Sequence, residues 1–247
     1  MPGGQASREG VEMLFARYAH AADHAAGRRV LEVGCGPGLG LGLLGGRAPF
    51  VVGGDCDEEL LQVASSTYGP GVPLVRLDAQ ALPFRDGCFD VALFYEGSYY
   101  VPDMDQVFDE LARVLSADAT LLFVNANPER PDFIRSPMSV HYHTAQEFCC
   151  ALGERGFDVM VEGAFPISEA GVVARLASLA RKVAERLGLI PKTLAGRARL
   201  KRLLVRRMVS IPDQIPVDVQ ATAPRDVIPA GTRAEHWKVI YVTARRR

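Results

Sequence analysis

Three glycines near the start of the chain have the spacing of a ligand-binding turn. Gly34, Gly36 and Gly38 follow a short β-prone run at residues 29–33, and Glu32 lies two positions before the first glycine. Glycine lets the backbone turn sharply and approach a ligand that a Cβ atom would block. A helix N-terminus after such a turn offers free amides and the positive end of a dipole. The turn therefore suits a ligand that carries a carboxylate or a phosphate.

The glycine spacing also excludes one class of enzyme. A dinucleotide-binding turn reads G-x-G-x-x-G, whereas this chain reads G-x-G-x-G after an acidic residue. This difference argues against a nicotinamide or flavin enzyme. A second acidic residue, Asp55, ends the next β-prone run, and Asp78 follows the third.

The segment Glu32-Val33-Gly34-Cys35-Gly36-Pro37-Gly38 resembles motif I of the class I S-adenosylmethionine-dependent methyltransferases. The segment from Leu77 to Phe84, LDAQALPF, is typical of the same family, and the segment from Phe89 to Phe94 resembles its fourth strand. The resemblance covers about Val11 to Val161 and resumes at the last strand.

The resemblance implies S-adenosylmethionine as the cofactor and S-adenosylhomocysteine as the product. Asp55 matches the family's acceptor for the two ribose hydroxyls, and Asp78 matches the position beside the adenine amino group. Helix N-capping by Asp55 and turn capping by Asp78 are the structural alternatives. Tyr18 lies on the first helix where related enzymes contact the methionine end, although core packing explains it equally well. The cofactor-binding residues implied in this way are Tyr18, Glu32, Gly34, Cys35, Gly36, Gly38, Asp55, Cys56, Asp78, Ala79 and Tyr95.

Candidate catalytic residues follow the fourth and fifth predicted strands, because ligands bind at the carboxyl edge of such sheets. Methyl transfer is a displacement at a sulfonium carbon, so the main task of the protein is to align the acceptor. A hydroxyl acceptor also needs a base. Glu96, Tyr99 and Tyr100 follow the fourth strand, and His141 and His143 follow the fifth. His143 precedes a predicted helix start, which gives it a structural alternative.

The elements that must position these residues alternate between strand and helix. A first helix from Arg8 to about Ala22 is followed by strands and helices in turn, ending in a strand from Trp237 to Thr243. The run Thr144-Ala145-Gln146-Glu147 is a capping box that starts a helix running to about Arg155, with Gly156 as its C-cap. We expect a doubly wound, mostly parallel, seven-stranded Rossmann-like α/β sheet with a helical cap inserted before the last strand.

The predicted cap is strongly basic. Residues 1–164 and 232–247 form the predicted methyltransferase domain, and residues 165–231 form the insertion, with two helical patterns separated by Pro191 and then a Pro-rich loop from Ile211 to Pro229. The basic residues of the predicted cap have two interpretations. They belong to a solvated lid, or they attract an anionic acceptor, an anionic membrane surface or RNA. Aromatic residues are absent from Arg175 to Met208, which argues against recognition of single-stranded RNA.

Composition limits the remaining classes. The net charge of −1 gives no global attraction to nucleic acid or membranes. The five cysteines are odd in number and lack metal-ligand spacing, so we expect reduced thiols and no metal site. The N-terminus lacks a signal-peptide pattern, and no apolar run approaches the roughly 18 residues of a membrane span. We expect a cytoplasmic enzyme.

The sequence therefore predicts O- or N-methylation of a small or carrier-bound metabolite, such as a glycan, a glycolipid precursor or a secondary metabolite. Two alternatives stay open: an RNA methyltransferase, and a protein that binds S-adenosylmethionine without transferring methyl groups. The acceptor and the oligomeric state are not encoded in any recognisable pattern.

Overall fold

A computed structural model describes residues 4–167, 208–219 and 223–247. Within these ranges the helices are α1 Arg8–Ala25, α2 Leu41–Gly45, α3 Glu58–Tyr68, α4 Met104–Val114 and α5 Ala145–Gly153. The strands are β1 Gln5–Ser7, β2 Arg29–Val33, β3 Phe50–Asp55, β4 Leu74–Arg76, β5 Phe89–Tyr95, β6 Leu115–Ala126, β7 Phe157–Pro166, β8 Met208–Ser210, β9 Arg225–Val227 and β10 Trp237–Arg246.

One mixed sheet forms the centre of the described structure. Its strand order is β4-β3-β2-β5-β6-β10-β7-β9. The strands β4, β3, β2, β5 and β6 are parallel, and β10 lies antiparallel between β6 and β7. Because the five parallel strands share one direction, their carboxyl ends meet along a single edge of the sheet. The predicted doubly wound α/β fold is confirmed.

The sheet has eight strands in the described residues, one more than the sequence predicted. The additional strand β9 lies in the predicted Pro-rich loop and pairs antiparallel with β7. Met208, which the sequence placed in a helical pattern, begins β8 and pairs with Ser7 of β1 in a separate two-stranded sheet. A run of three residues is too short to show strand periodicity in sequence, so tertiary pairing decides these elements.

Helices cover both faces of the sheet and divide the core into two clusters. On one face α4 and α5 pack Phe108, Leu111 and Phe148 against the strands. On the other face α1 and α2 contribute Tyr18 and Leu41. The expected apolar stripe of α1 is shifted toward its C-terminal half. Its fully covered residues there include Tyr18, Ala21 and Ala25, whereas Val11, Leu14 and Phe15 are half-buried.

The predicted capping box is confirmed. The Thr144 hydroxyl accepts a hydrogen bond from the Glu147 amide at 3.2 Å, and the Glu147 carboxylate accepts one from the Thr144 amide at 2.7 Å. The helix ends at Gly153, two residues before the predicted end. Gly156 adopts a φ of +81° in the turn to β7, a conformation that favours glycine.

The basic helices of the predicted cap, including Arg197, Lys201, Arg202 and Arg206, lie outside the described residues. The boundaries of that insertion therefore stay a prediction. In the part of the chain that is described, no helix is long and apolar enough to cross a membrane. All five cysteines are free thiols, as expected.

Candidate functional site

The glycine turn lies at the carboxyl edge of the sheet, directly after β2. Gly34, Gly36 and Gly38 have φ values of +68°, +55° and +79°, which L residues with side chains rarely adopt. The Cys35 amide donates to the Gly54 carbonyl at 3.0 Å, so the pairing between β2 and β3 continues into the turn. The turn is therefore held rigidly against the neighbouring strand.

The three glycines have different surroundings. A Cβ at Gly34 would lie 2.9 Å from the Phe94 ring, and one at Gly38 would crowd Tyr68. A Cβ at Gly36 would meet no atom within 4 Å. Gly34 and Gly38 thus permit close packing inside the protein, whereas Gly36 faces open space where a ligand can approach the backbone.

Asp55 connects the end of β3 to this turn. Its carboxylate accepts hydrogen bonds from the Gly36 amide at 2.7 Å and from the Asp57 amide at 2.9 Å, and the residue is buried. Each of the two carboxylate oxygens has lone pairs left for a further donor. Asp57, and not Asp55, is the N-cap of α3. The helix-capping alternative for Asp55 therefore does not hold.

Glu32 and Tyr18 form a buried pair beneath the turn. The Tyr18 hydroxyl donates to the Glu32 carboxylate at 2.5 Å, while the second oxygen, Oε2, is buried with no partner in the described structure. Burial raises the pKa of Glu32, the hydrogen bond from Tyr18 opposes the rise and the nearby charge of Asp55 adds to it, which brings the pKa to about 8. Burial and the Glu32 charge also hold the pKa of Tyr18 well above its usual value. The pair places an unsatisfied carboxyl oxygen under the ligand-facing turn.

A cavity of about 1040 Å³ opens along this edge of the sheet. Its lining brings together nine of the predicted site residues, which lie at the ends of four different strands or in the loops after them: Gly34, Gly36, Asp55, Cys56, Asp78, Ala79, Tyr95, Glu96 and Tyr100. Four others pack behind the lining: Tyr18, Glu32, Cys35 and Gly38. The predicted site residues therefore form part of the cavity lining and part of the layer packed directly beneath it.

Asp78 lies in the loop after β4. Its carboxylate accepts from the Gln80 amide at 2.9 Å, and the Asp78 carbonyl accepts from Ala81 at 3.0 Å. The side chain is exposed at the cavity, so both the turn-capping role and a ligand contact are compatible with this position.

Glu96 is the acidic group on the β5 side of the cavity. It follows β5 with a φ of +53°, an uncommon conformation for a residue with a side chain. The Tyr99 hydroxyl donates to its Oε2 at 3.0 Å, and Arg17 Nη1 lies 3.6 Å from its Oε1. Tyr99 itself is buried outside the described lining, and burial followed by the Glu96 charge raises its pKa. These contacts hold a carboxylate with a fixed orientation at the cavity.

Neither candidate histidine is part of the described cavity lining. His141 Nε2 lies 3.0 Å from the Glu147 carboxylate on the surface. His143 packs against Phe108 and Phe148, and burial lowers its pKa. The structural alternative for His143 is the one that its surroundings support.

Two residues near the cavity had no signal in the sequence. Arg17 precedes Tyr18 on α1 but belongs to no motif. Met138 lines the cavity from a loop, where periodicity carries no information about which side chains face a site.

Comparison with known proteins gives one family and several relatives. Residues 31–123 match the family model described as a methyltransferase domain. A malonyl-[acyl-carrier protein] O-methyltransferase from Legionella pneumophila is 30% identical over 149 residues, which cover 55% of this chain and 52% of the relative. A fatty-acid O-methyltransferase from Mycolicibacterium smegmatis is 37% identical over 105 residues, covering 41% and 38% respectively. The chain spans about half the length, or less, of these curated relatives.

The fold as a whole also has counterparts among solved structures. The YcgJ protein of Bacillus subtilis superposes with a TM-score of 0.61 at 18% identity, covering 98% of this chain and 99% of that protein. At this identity the likeness concerns the fold alone.

Proposed function

We propose that this chain, whose residues 31–123 match a methyltransferase-domain model, is a class I S-adenosylmethionine-dependent methyltransferase that methylates a small or carrier-bound metabolite. S-adenosylmethionine supplies a methyl group on a sulfonium, which needs no further activation. What the protein must do is hold the cofactor, exclude water and align the acceptor.

The contact between Asp55 and Gly36 carries the proposal. The buried Asp55 carboxylate lies 2.7 Å from the Gly36 amide, and the space beside Gly36 is open. The site therefore offers a charged hydrogen-bond acceptor next to a backbone that a ligand can approach. Ribose hydroxyls are donors that suit such a carboxylate. The residues present therefore fit the nucleoside part of S-adenosylmethionine. Glu32 Oε2 adds a buried carboxyl oxygen without a partner in the described structure, beneath the same glycine turn.

For the acceptor, we propose a lipid or a carrier-bound acyl metabolite. The sequence predicted a small or carrier-bound metabolite, with a glycan, a glycolipid precursor or a secondary metabolite as examples, and the choice of an acyl group comes from the relatives. The malonyl-carrier and fatty-acid O-methyltransferases named above support this choice.

Glu96 is the residue that we propose to act on the acceptor. A hydroxyl loses its proton when it is methylated, and a carboxylate at the cavity can accept that proton. Tyr99 and Arg17 contact different oxygens of Glu96, which limits rotation of the carboxylate. They are positioning residues.

The alternatives differ in what they require. An RNA methyltransferase requires a basic surface with stacking platforms. A non-catalytic binder requires the cofactor site but no acceptor. An attraction to anionic acceptors or to anionic membrane surfaces depends on the basic segment that contains Arg197 and Lys201, and it stays a hypothesis.

One experiment separates these candidates. The protein is incubated with methyl-labelled S-adenosylmethionine and cell extract, and the products are separated into lipid, acyl-carrier, glycan, RNA and small-molecule pools. Label in the lipid or carrier pool is expected. Label in RNA alone would replace the proposal by its first alternative, and cofactor binding without label in any pool would replace it by the second.

A further inference from the structure

The residues that line the cavity differ between the loops after β3 and β4 and the loops after β5 and β6. In the strand order β4-β3-β2-β5-β6, the loops after β3 and β4 contribute polar lining residues that include Asp55, Asp57 and Asp78. The loops after β5 and β6 contribute the carboxylate of Glu96 and the apolar residues Val101, Pro102 and Met138, with the ring of Tyr100 between them. The Tyr100 hydroxyl lies 2.6 Å from Ser136 Oγ, so the loop with Met138 contacts the loop after β5. The Asp103 amide donates to Gln80 at 3.0 Å, so the loop after β5 continues from this apolar wall to the polar side of the cavity.

The cavity is large for a single small ligand. Its volume of about 1040 Å³ stands at the top of the range of about 300–1,000 Å³ that is typical of small-molecule sites. A cofactor whose ribose lies at Asp55 occupies the β3 and β4 side. The β5 and β6 side is then left for a second molecule.

Met138 is held at this second side in an unusual conformation. Its φ is +65°, and 83% of the residue is exposed although its side chain is apolar. The loop around it is anchored, because Val140 donates to the Tyr99 carbonyl at 2.8 Å and Ser136 donates to the Tyr142 hydroxyl at 3.2 Å. Non-glycine residues in this conformation are strained, and they occur preferentially at functional sites.

The apolar wall offers few groups to a polar ligand. The Tyr100 hydroxyl is already 2.6 Å from Ser136 Oγ, which leaves its ring as the exposed surface. Val101, Pro102 and Met138 have no polar side-chain group that donates a hydrogen bond. A sugar ring needs several hydrogen-bonding partners, whereas a hydrocarbon chain needs none. Val140, 47% exposed, extends the apolar surface beyond the cavity.

We propose that the wall formed by Tyr100, Val101, Pro102 and Met138 binds the hydrocarbon chain of an acyl acceptor. The hydrocarbon chain enters past Met138, and its functional group lies deeper in the cavity. This inference rests on the proposed function, since it names the residues that would select the acceptor.

The test is direct binding of a simple probe, dodecanoate, measured by calorimetry on the full chain. S-adenosylmethionine is titrated into the same preparation. We expect dodecanoate to bind and its affinity to rise with chain length across a series from butanoate, approaching about fourfold for each added methylene that becomes buried. Binding of the cofactor without binding of any fatty acid would overturn the acyl inference alone. Failure of the cofactor to bind would overturn the proposed function.

Two variants test where the hydrocarbon chain binds. Met138→Asn removes the apolar side chain, and asparagine tolerates a positive φ, so the loop conformation is preserved. We expect it to bind dodecanoate at least about tenfold more weakly. Met160→Asn is the matched control, because Met160 is 43% exposed on β7 and lies outside the described cavity lining. It should bind dodecanoate like the wild type. If Met138→Asn and the wild type bind dodecanoate with equal affinity, the hydrocarbon chain binds elsewhere and the proposal is overturned. Circular dichroism verifies that both variants are folded.

Discussion

The carboxylate of Asp55 accepts a hydrogen bond from the backbone amide of Gly36 at 2.7 Å, although the two residues are 19 positions apart in the chain. The residue that is expected to bind the ribose therefore also fixes the turn that must approach the cofactor. Loss of Asp55 should affect the site twice, through the missing ribose acceptor and through the released turn.

Replacement of Asp55 by alanine is expected to weaken S-adenosylmethionine binding by about 2–3 kcal/mol, or about 30- to 150-fold in Kd, because donors to a charged acceptor lose their partner. Asp55→Asn should lie between alanine and the wild type, since it keeps one acceptor oxygen but no charge. Calorimetry measures all three. An alanine variant with wild-type affinity would remove Asp55 from the cofactor site.

Gly36→Val is expected to abolish cofactor binding while the protein stays folded. The added side chain would fill the open space beside Asp55. Gly27→Val is a matched control, because Gly27 also has a positive φ, +70°, a Cβ there would meet no atom within 4 Å, and the residue lies outside the described cavity lining. Both variants carry a similar backbone strain of about 1–2 kcal/mol. If both variants lose the cofactor equally, strain and not occupancy of the site is responsible.

The buried Glu32 carboxyl predicts a pH-dependent stability. Its pKa in the folded protein is raised to about 8 from an ordinary value of 4.5, so the folded state holds a proton that the unfolded state has lost at intermediate pH. The contribution of the protonated Glu32 carboxyl to the free energy of unfolding is fully present below pH 4.5 and is lost as the pH rises through about 8. Glu32→Gln should flatten the decline of the unfolding free energy between these limits. Urea unfolding at a series of pH values measures it, and an identical slope in variant and wild type would show that Glu32 is not titrating there.

Glu96→Gln is expected to lower kcat by about 100-fold or more with a hydroxyl acceptor, because glutamine cannot accept the proton. The affinity for S-adenosylmethionine should change little. His141→Ala serves as the comparison and should keep nearly full turnover, since His141 contacts Glu147 at the surface. A large loss in the histidine variant with none in Glu96→Gln would reverse the assignment.

Much of the fold was predictable because its signals are local. The glycine turn, the strands around it and the Thr144 capping box each depend on residues within a few positions of one another. Strands β1, β8 and β9 were missed because pairing with distant segments determines them.

The site was predictable only in part, for a similar reason. Asp55 and Asp78 follow strands in a family pattern, so their positions could be read from the sequence. The partners of Glu96 could not, because Arg17 reaches it from α1 across 79 positions of chain. Met138 lies in a loop without periodicity, and its exposure at the cavity depends on tertiary hydrogen bonds such as that between Val140 and Tyr99.

The central claim is that this edge of the sheet binds the cofactor through Asp55 and the glycine turn. A crystal structure of the chain with S-adenosylhomocysteine tests it most directly. We predict both ribose hydroxyls within hydrogen-bonding distance of the Asp55 carboxylate, the ligand passing over Gly36, and the adenine beside Asp78 and Ala79. Electron density for the ligand at any other place, or a ribose that does not contact Asp55, would contradict the account.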